Sequence, residues 1–261
     1  MDFQFKDVYN ISDLVQIMHI LRAPDGCPWD KVQTHESIRQ NFIEETYEAV
    51  EAIDKKDVPL LREELGDVLM QVIFHCIMEE EQGTFSFDDV CNEVCQKLII
   101  RHPHVFGNIE ADTPEEVLKN WDAIKMQTKS QEKLADSVDD VAKSLPALMR
   151  AQKVQKRSAK SGMDFRSPEQ AAEKLPEEQQ ELFEAVKSGD KEKMAEELGD
   201  LLFSVVNIAR LLGVDAELAL TRSTDKFSQR FRAVEALADK RGIDMKNAPD
   251  SLIDSLWEEV K

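Results

Sequence analysis

Apolar residues along this chain recur at helical spacing, and no stretch alternates with the period of a strand. Ile11, Leu14, Val15, Met18 and Leu21 make the first stripe and predict a short amphipathic helix over 11–21. It stops at Arg22-Ala23-Pro24-Asp25-Gly26-Cys27-Pro28-Trp29-Asp30, too rich in proline and glycine to continue. Thr34 can cap a second helix running to about Asp54, and Pro59 suits the first turn of a third that ends at Gly83. Ser86, with Asp89 three residues on, opens a helix to Arg101, broken by His102-Pro103-His104. Thr113-Pro114-Glu115-Glu116 starts another through Trp121 and Lys125. Residues 127–143 are polar with no convincing stripe and read as a linker. Ser144-Leu145-Pro146 begins a second unit whose first helix ends at Gly162. Further helices are predicted over 168–187, 191–212, 216–240 and 251–260, with Gly189, Gly213 and Gly242 as stops. The predicted class is all-α.

The stripes repeat. Leu65, Val68, Leu69, Val72 and Ile73 return 133 residues later as Leu198, Leu201, Leu202, Val205 and Val206. Acids obey the same shift: Glu45, Glu48, Glu64 and Asp67 become Glu178, Glu181, Glu197 and Asp200. An internal duplication follows, with units at 1–126 and 144–261 joined by 127–143.

Within each copy the spacing is informative. Glu178 and Glu181 share a helix face, as do Glu197 and Asp200. The midpoints of 181 and 197 and of 178 and 200 coincide at Gly189, inside Lys187-Ser188-Gly189-Asp190. If two helices fold back there, Glu181 stands level with Glu197 and Glu178 with Asp200, roughly 12–16 Å from the turn. The first copy centres on Lys56 in the same way, pairing Glu48 with Glu64 and Glu45 with Asp67. A lone Glu-Glu-x-x-Glu is usually a solvated helix face, but a level partner across a tight turn, repeated, is not. Four facing carboxylates repel unless a cation lies between them, and an all-oxygen set suits Mg²⁺ or Mn²⁺. Di-iron bundles require Glu-x-x-His, and no histidine here has an acid three residues before it. Gly66 and Gly199 stand mid-helix at a cost of about 1 kcal/mol each, which a close approach by a helix or ligand would explain.

Magnesium held by carboxylates usually serves a phosphorylated ligand, which needs cations of its own. Arg222, Lys226 and Arg230 run i, i+4, i+8; the matching places in the first unit hold Glu93, Lys97 and Arg101. Trp257 and Lys261 echo Trp121 and Lys125, and such a tryptophan can either stack on a base or pack a core. The formal charge of −19 argues against nucleic-acid and anionic-membrane partners. No segment approaches the roughly 20 apolar residues of a transmembrane helix, and the first residues lack a signal-peptide core, so the cytoplasm is the expected address. Cys27, Cys76, Cys91 and Cys95 include no Cys-x-x-Cys pair and read as reduced thiols.

The order Glu-Glu-x-x-Glu, Glu-x-x-Asp, Lys-x-x-x-Arg, Trp-x-x-x-Lys resembles the MazG nucleoside triphosphate pyrophosphohydrolases. So do Gly26-Cys27-Pro28-Trp29-Asp30, Arg101-His102-Pro103-His104-Val105-Phe106 and the stretch from Leu145 to Lys153. The resemblance covers nearly the whole chain. It implies tandem all-α four-helix-type bundles, a homodimer, Mg²⁺ dependence, and hydrolysis of NTPs or dNTPs to monophosphate and pyrophosphate. It also implies metal ligation by Glu178, Glu181, Glu197 and Asp200 with Glu177 beside them, where a carboxylate could orient the attacking water. Phosphates would meet Lys226 and Arg230, with Arg222 extending the stripe, and Trp257 with Lys261 would close over the nucleotide. The alternative reading is a non-catalytic nucleotide or metal sensor built on a helical dimer. Pro176, where the first copy has Ile43, departs from the pattern. The helix either kinks there or restarts with Pro176 in its first turn, which would set Glu177 and Glu178 at a positive helix end favouring their ionised forms.

Overall fold

The computed structural model describes residues 3–128 and 134–261. Among them every regular element is helical. The chain divides into two compact units, Met1–Thr128 and Lys129–Lys261.

In the first unit α1 (Ile11–Arg22) starts from a capping box in which Asn10 accepts from the Asp13 amide and Asp13 accepts from that of Asn10. Gly26 follows because the loop doubles back onto the end of α1: a Cβ there would lie 2.4 Å from the carbonyl oxygens of Ile20 and Leu21. Helices α2 (His35–Lys55) and α3 (Val58–Glu81) form a hairpin. Thr34 caps α2, Asp57 caps α3, and Lys56 turns the corner in the left-handed region at φ 56°. Helix α4 (Phe87–Arg101) packs on α3, while short α5 (Pro103–Phe106) and α6 (Pro114–Thr128) pack on α4. The core gathers Met18, Ile38, Ile73, Phe74, Ile77 and Met78, so α3 is the central helix, pressed between α1 and α2.

The second unit contains a helix that the sequence reading missed. Helix α7 (Leu134–Asp139) falls inside the polar stretch read as linker and packs on α8 (Ala147–Ala159), with Val141 buried just after it. Arg157 of α8 donates to the Ser137 carbonyl oxygen and pairs with Asp140 at 3.7 Å. Of the rest of the stretch read as linker, 127–128 end α6, 140–143 follow α7, and 129–133 lie outside the described residues.

The helix expected over 168–187 is two helices, α9 (Pro168–Ala172) and α10 (Leu175–Ser188). The cause is Pro176, which has no amide hydrogen to give a continuous ladder and is tolerated only in a first turn; it sits there in α10. Gly189, at φ 76°, turns the chain into α11 (Lys191–Leu211), capped by Asp190. Helices α8 and α9 pack on α11. Finally α12 (Ala216–Arg241) carries α13 (Asp250–Glu259) on a small cluster of Val234, Ala238 and Leu256, to which Trp257 adds its half-buried ring.

Candidate active site

Both hairpins bring acids together. In the second unit Glu178 of α10 and Glu197 and Asp200 of α11 each offer an oxygen, all within 4.8 Å of one another. In the first, Glu45 and Glu48 of α2 and Glu64 of α3 do the same. The fourth member differs: Glu181 stands outside the second triad and Asp67 outside the first. The level pairing nevertheless shows in the electrostatics. Burial pushes the Glu178 carboxyl up, and among its charged neighbours Asp200 pushes hardest; for Glu197 burial comes first and Glu181 next. Burial likewise raises Glu45, followed by Asp67, and raises Glu64, followed by Glu48. Every facing pair expected from the spacing thus appears as a repelling pair. Glu64 is only 9% exposed and is the most enclosed acid of the two clusters.

The broken helix sets α10's first turn at the site. Glu178 nevertheless has a raised rather than lowered pKa, because burial and its acidic neighbours outweigh the positive helix end. Glu177 is held elsewhere, ion-paired to Lys174 at 2.7 Å. Lys174 was not singled out from the sequence, although its i, i+3 spacing to Glu177 was the available signal. Its ammonium is raised by that hydrogen bond first, and Glu178 and Glu181 add to the shift, which places a cation at the rim of the acids. Asn41 stands at this position in the first unit.

All-oxygen donors at this separation, with Glu178 and Glu197 raised by burial first and by their acidic neighbours next, fit a hard divalent cation. Gly66 and Gly199 are less informative: nothing lies within 4 Å of a Cβ at either, so no neighbour in the described chain accounts for glycine there.

Arg222, Lys226 and Arg230 do form a stripe on α12, and none of them has an acid or hydrogen-bond partner among the described residues. Trp257 packs against Phe227 at 5.3 Å between ring centroids, which brings it to the same stretch of α12. Lys261 instead pairs with Glu258. In the first unit the Arg101 guanidinium stacks over Trp121 at 5.2 Å, a contact not seen in the second; the Lys125 side chain lies outside the described residues. That unit has a further feature of its own, a chain from His75 through His35 to Glu79 with both links at 2.7 Å. Pro168 and Ile208 replace the two histidines in the second unit.

The MazG nucleotide pyrophosphohydrolase domain matches this chain twice, at residues 33–106 and 166–234, which are the two hairpins with the helices that follow them. The chain belongs to the MazG family. Among its relatives, the nucleoside triphosphate pyrophosphohydrolase/pyrophosphatase MazG of Thermotoga maritima is 44% identical over 96% of this chain and 95% of its own length. The nucleoside triphosphate pyrophosphohydrolase of Escherichia coli K12 is 44% identical over 96% and 97%. YabN of Bacillus subtilis is 41% identical over 97% of this chain but only 52% of its own length.

Proposed function

We propose that this chain, a MazG-family nucleoside triphosphate pyrophosphohydrolase, performs its hydrolysis in the second unit, releasing a nucleoside monophosphate and pyrophosphate. The observation that carries this is the convergence of Glu178, Glu197 and Asp200 within 4.8 Å, in the unit whose α12 offers three cations without partners among the described residues. Glu178, Glu197 and Asp200, with Glu181 beside Glu197, hold Mg²⁺, or Mn²⁺ in its place. The ion, when bound, compensates the acids' charge and acts as a Lewis acid toward phosphate oxygens. Arg222, Lys226 and Arg230 balance a triphosphate of about four negative charges, whereas Glu93 in the first unit would oppose it. Trp257, packed on Phe227, steadies that stripe, with Lys261 next to it. Glu177 orients the attacking water once Lys174 turns to the phosphates.

The working form is a cytoplasmic homodimer. Among the described residues no helix is long and apolar enough to cross a membrane. Leu198, Leu202 and Val205 on α11, and Leu65 and Leu69 on α3, are exposed at helical spacing, and apolar surface of that extent on both hairpins suits a self-complementary interface.

The test is a matched pair, Glu197→Gln and Glu64→Gln, assayed for pyrophosphate release from mixed NTPs at saturating Mg²⁺ and again with EDTA. Glu197→Gln should lower kcat on the order of 100-fold with the fold intact, and Glu64→Gln only a few fold. A dead Glu64→Gln enzyme would move the chemistry to the first unit. Nucleotide binding without turnover in the wild type would favour the sensor.

A further inference from the structure

We infer that the cavity walled by α7, α8 and α11 receives the substrate's nucleobase, with Gln155 and Asn207 binding its polar edge. This rests on the reading that the Glu178–Glu197–Asp200 cluster holds the triphosphate. The cavity measures about 440 Å³ and is lined mainly by apolar surface, including Val138 and the rings of Phe165 and Phe203. A volume of that order, apolar with a few placed polar groups, is typical of small-molecule sites.

Two amides supply the polarity, beside Ser158 and the Asp164–Arg210 ion pair. Gln155 is only 6% exposed. Its Nε2 donates to the Phe203 carbonyl oxygen at 2.8 Å, and its Oε1 has no partner among the described residues. A buried acceptor left this way costs free energy unless a donor arrives. Asn207 is the complement. Its Oδ1 accepts from Arg210 Nε at 2.9 Å and Nη2 at 2.7 Å, while Arg210 is itself held by Asp164. The Asn207 Nδ2 therefore remains as a fixed donor without a partner among the described residues. One acceptor and one donor match the adjacent donor and acceptor on the Watson–Crick edge of every nucleobase, and aromatic rings suit its faces.

Placement agrees. Asp200, Phe203, Asn207 and Arg210 follow one face of α11, and Asn207 lies two turns beyond Asp200, about 10 Å along the axis. That is roughly the reach from the inner phosphates of an extended nucleotide to its base. The first unit lacks the site. Shifted back by 133, Phe203, Asn207 and Arg210 become Met70, Phe74 and Ile77, which belong to the hydrophobic core around α3.

The test uses the full chain. Gln155→Leu and Asn207→Leu should each raise the KM for nucleoside triphosphates about tenfold while kcat stays within about twofold. The inhibition constant of inorganic tripolyphosphate, which has no base, should not move. Because a buried leucine can unfold the unit, a second measurement uses wild-type protein with ¹³C-methyl methionine. Adding adenosine, guanosine, cytidine or uridine at millimolar concentration should shift the methyl resonance of Met163, which lines the cavity. Unchanged KM in both folded variants, or a Met163 resonance that no nucleoside moves, overturns the proposal. Absence of pyrophosphate release by the wild type would overturn the hydrolase reading instead, so the two failures separate.

Discussion

Replacing Arg22 with Met should unlatch the Gly26-Cys27-Pro28-Trp29-Asp30 loop. The Arg22 side chain, 6% exposed, donates through Nε and Nη2 to both carboxylate oxygens of Glu81 at 2.8 and 2.7 Å. Its Nη1 reaches the carbonyl oxygens of Asp30 at 2.6 Å and Gln33 at 3.3 Å, and its guanidinium lies over Phe74. One side chain thus ties the end of α1 and the loop to the end of α3. Methionine keeps the apolar stem and loses every hydrogen bond. A charge-assisted bond to a buried carbonyl is worth about 1.5 kcal/mol or more, whereas the Glu81 carboxylate is 43% exposed and relaxes into water, so its share is about 1 kcal/mol at most. The expected loss is about 3 kcal/mol, or about 10 °C in Tm for a unit of this size. Urea unfolding with hydrogen exchange read peptide by peptide should show α1 and α3 losing protection while α10 and α11 keep theirs. The pH dependence is a second check. Arg22 holds the Glu81 carboxyl below the usual glutamate range. A lowered folded pKa contributes stability that is fully present above the unfolded value near 4.3 and is lost as pH falls through the folded one. The gap between wild type and variant should therefore narrow below about pH 4. A variant as stable as wild type at neutral pH, or a gap that widens in acid, refutes the reasoning.

The two hairpin corners predict opposite responses. Lys56→Gly should stabilise the first unit by about 1 kcal/mol by relieving a left-handed side-chain residue, and Gly189→Ala should destabilise the second by a similar amount; differential scanning calorimetry reads both. Gly26→Ala should cost about 2 kcal/mol or more, measured by urea denaturation, since its Cβ would meet backbone rather than a yielding side chain. Mg²⁺ at one hundred times its Kd should stabilise the protein by about 2.7 kcal/mol, and a Tm identical in EDTA and in millimolar Mg²⁺ would count against an ion among the acids.

The hairpin acids were legible in the sequence because helix pitch and a tight turn are local rules. A shared midpoint is enough to set Glu178 against Asp200 and Glu197 against Glu181. Pro176 was legible for the same reason, as a missing amide hydrogen has one local consequence. Helix α7 was not, since its six residues carry no persuasive stripe and its reason for existing is α8, held through Arg157. Arg22, Gln155 and Asn207 escaped notice because their meaning lies in partners far along the chain, such as Glu81 for Arg22 and the Phe203 carbonyl for Gln155. A glutamine in an amphipathic helix reads as solvated until the helix across from it is placed.

The hairpin also bears on how the chain is made. Glu178, Glu197 and Asp200 belong to one contiguous stretch closed by the Gly189 corner, and among the described residues neither α12 nor α13 adds an acid to the cluster. Contacts of such short sequence separation form early and with little loss of chain entropy. During synthesis the three carboxylates therefore meet as soon as α11 has folded back on α10, before the cationic helix exists. The nascent hairpin thus carries its acidic cluster while its apolar outer face still lacks a cover, and Glu45, Glu48 and Glu64 come together in the same way on the first hairpin.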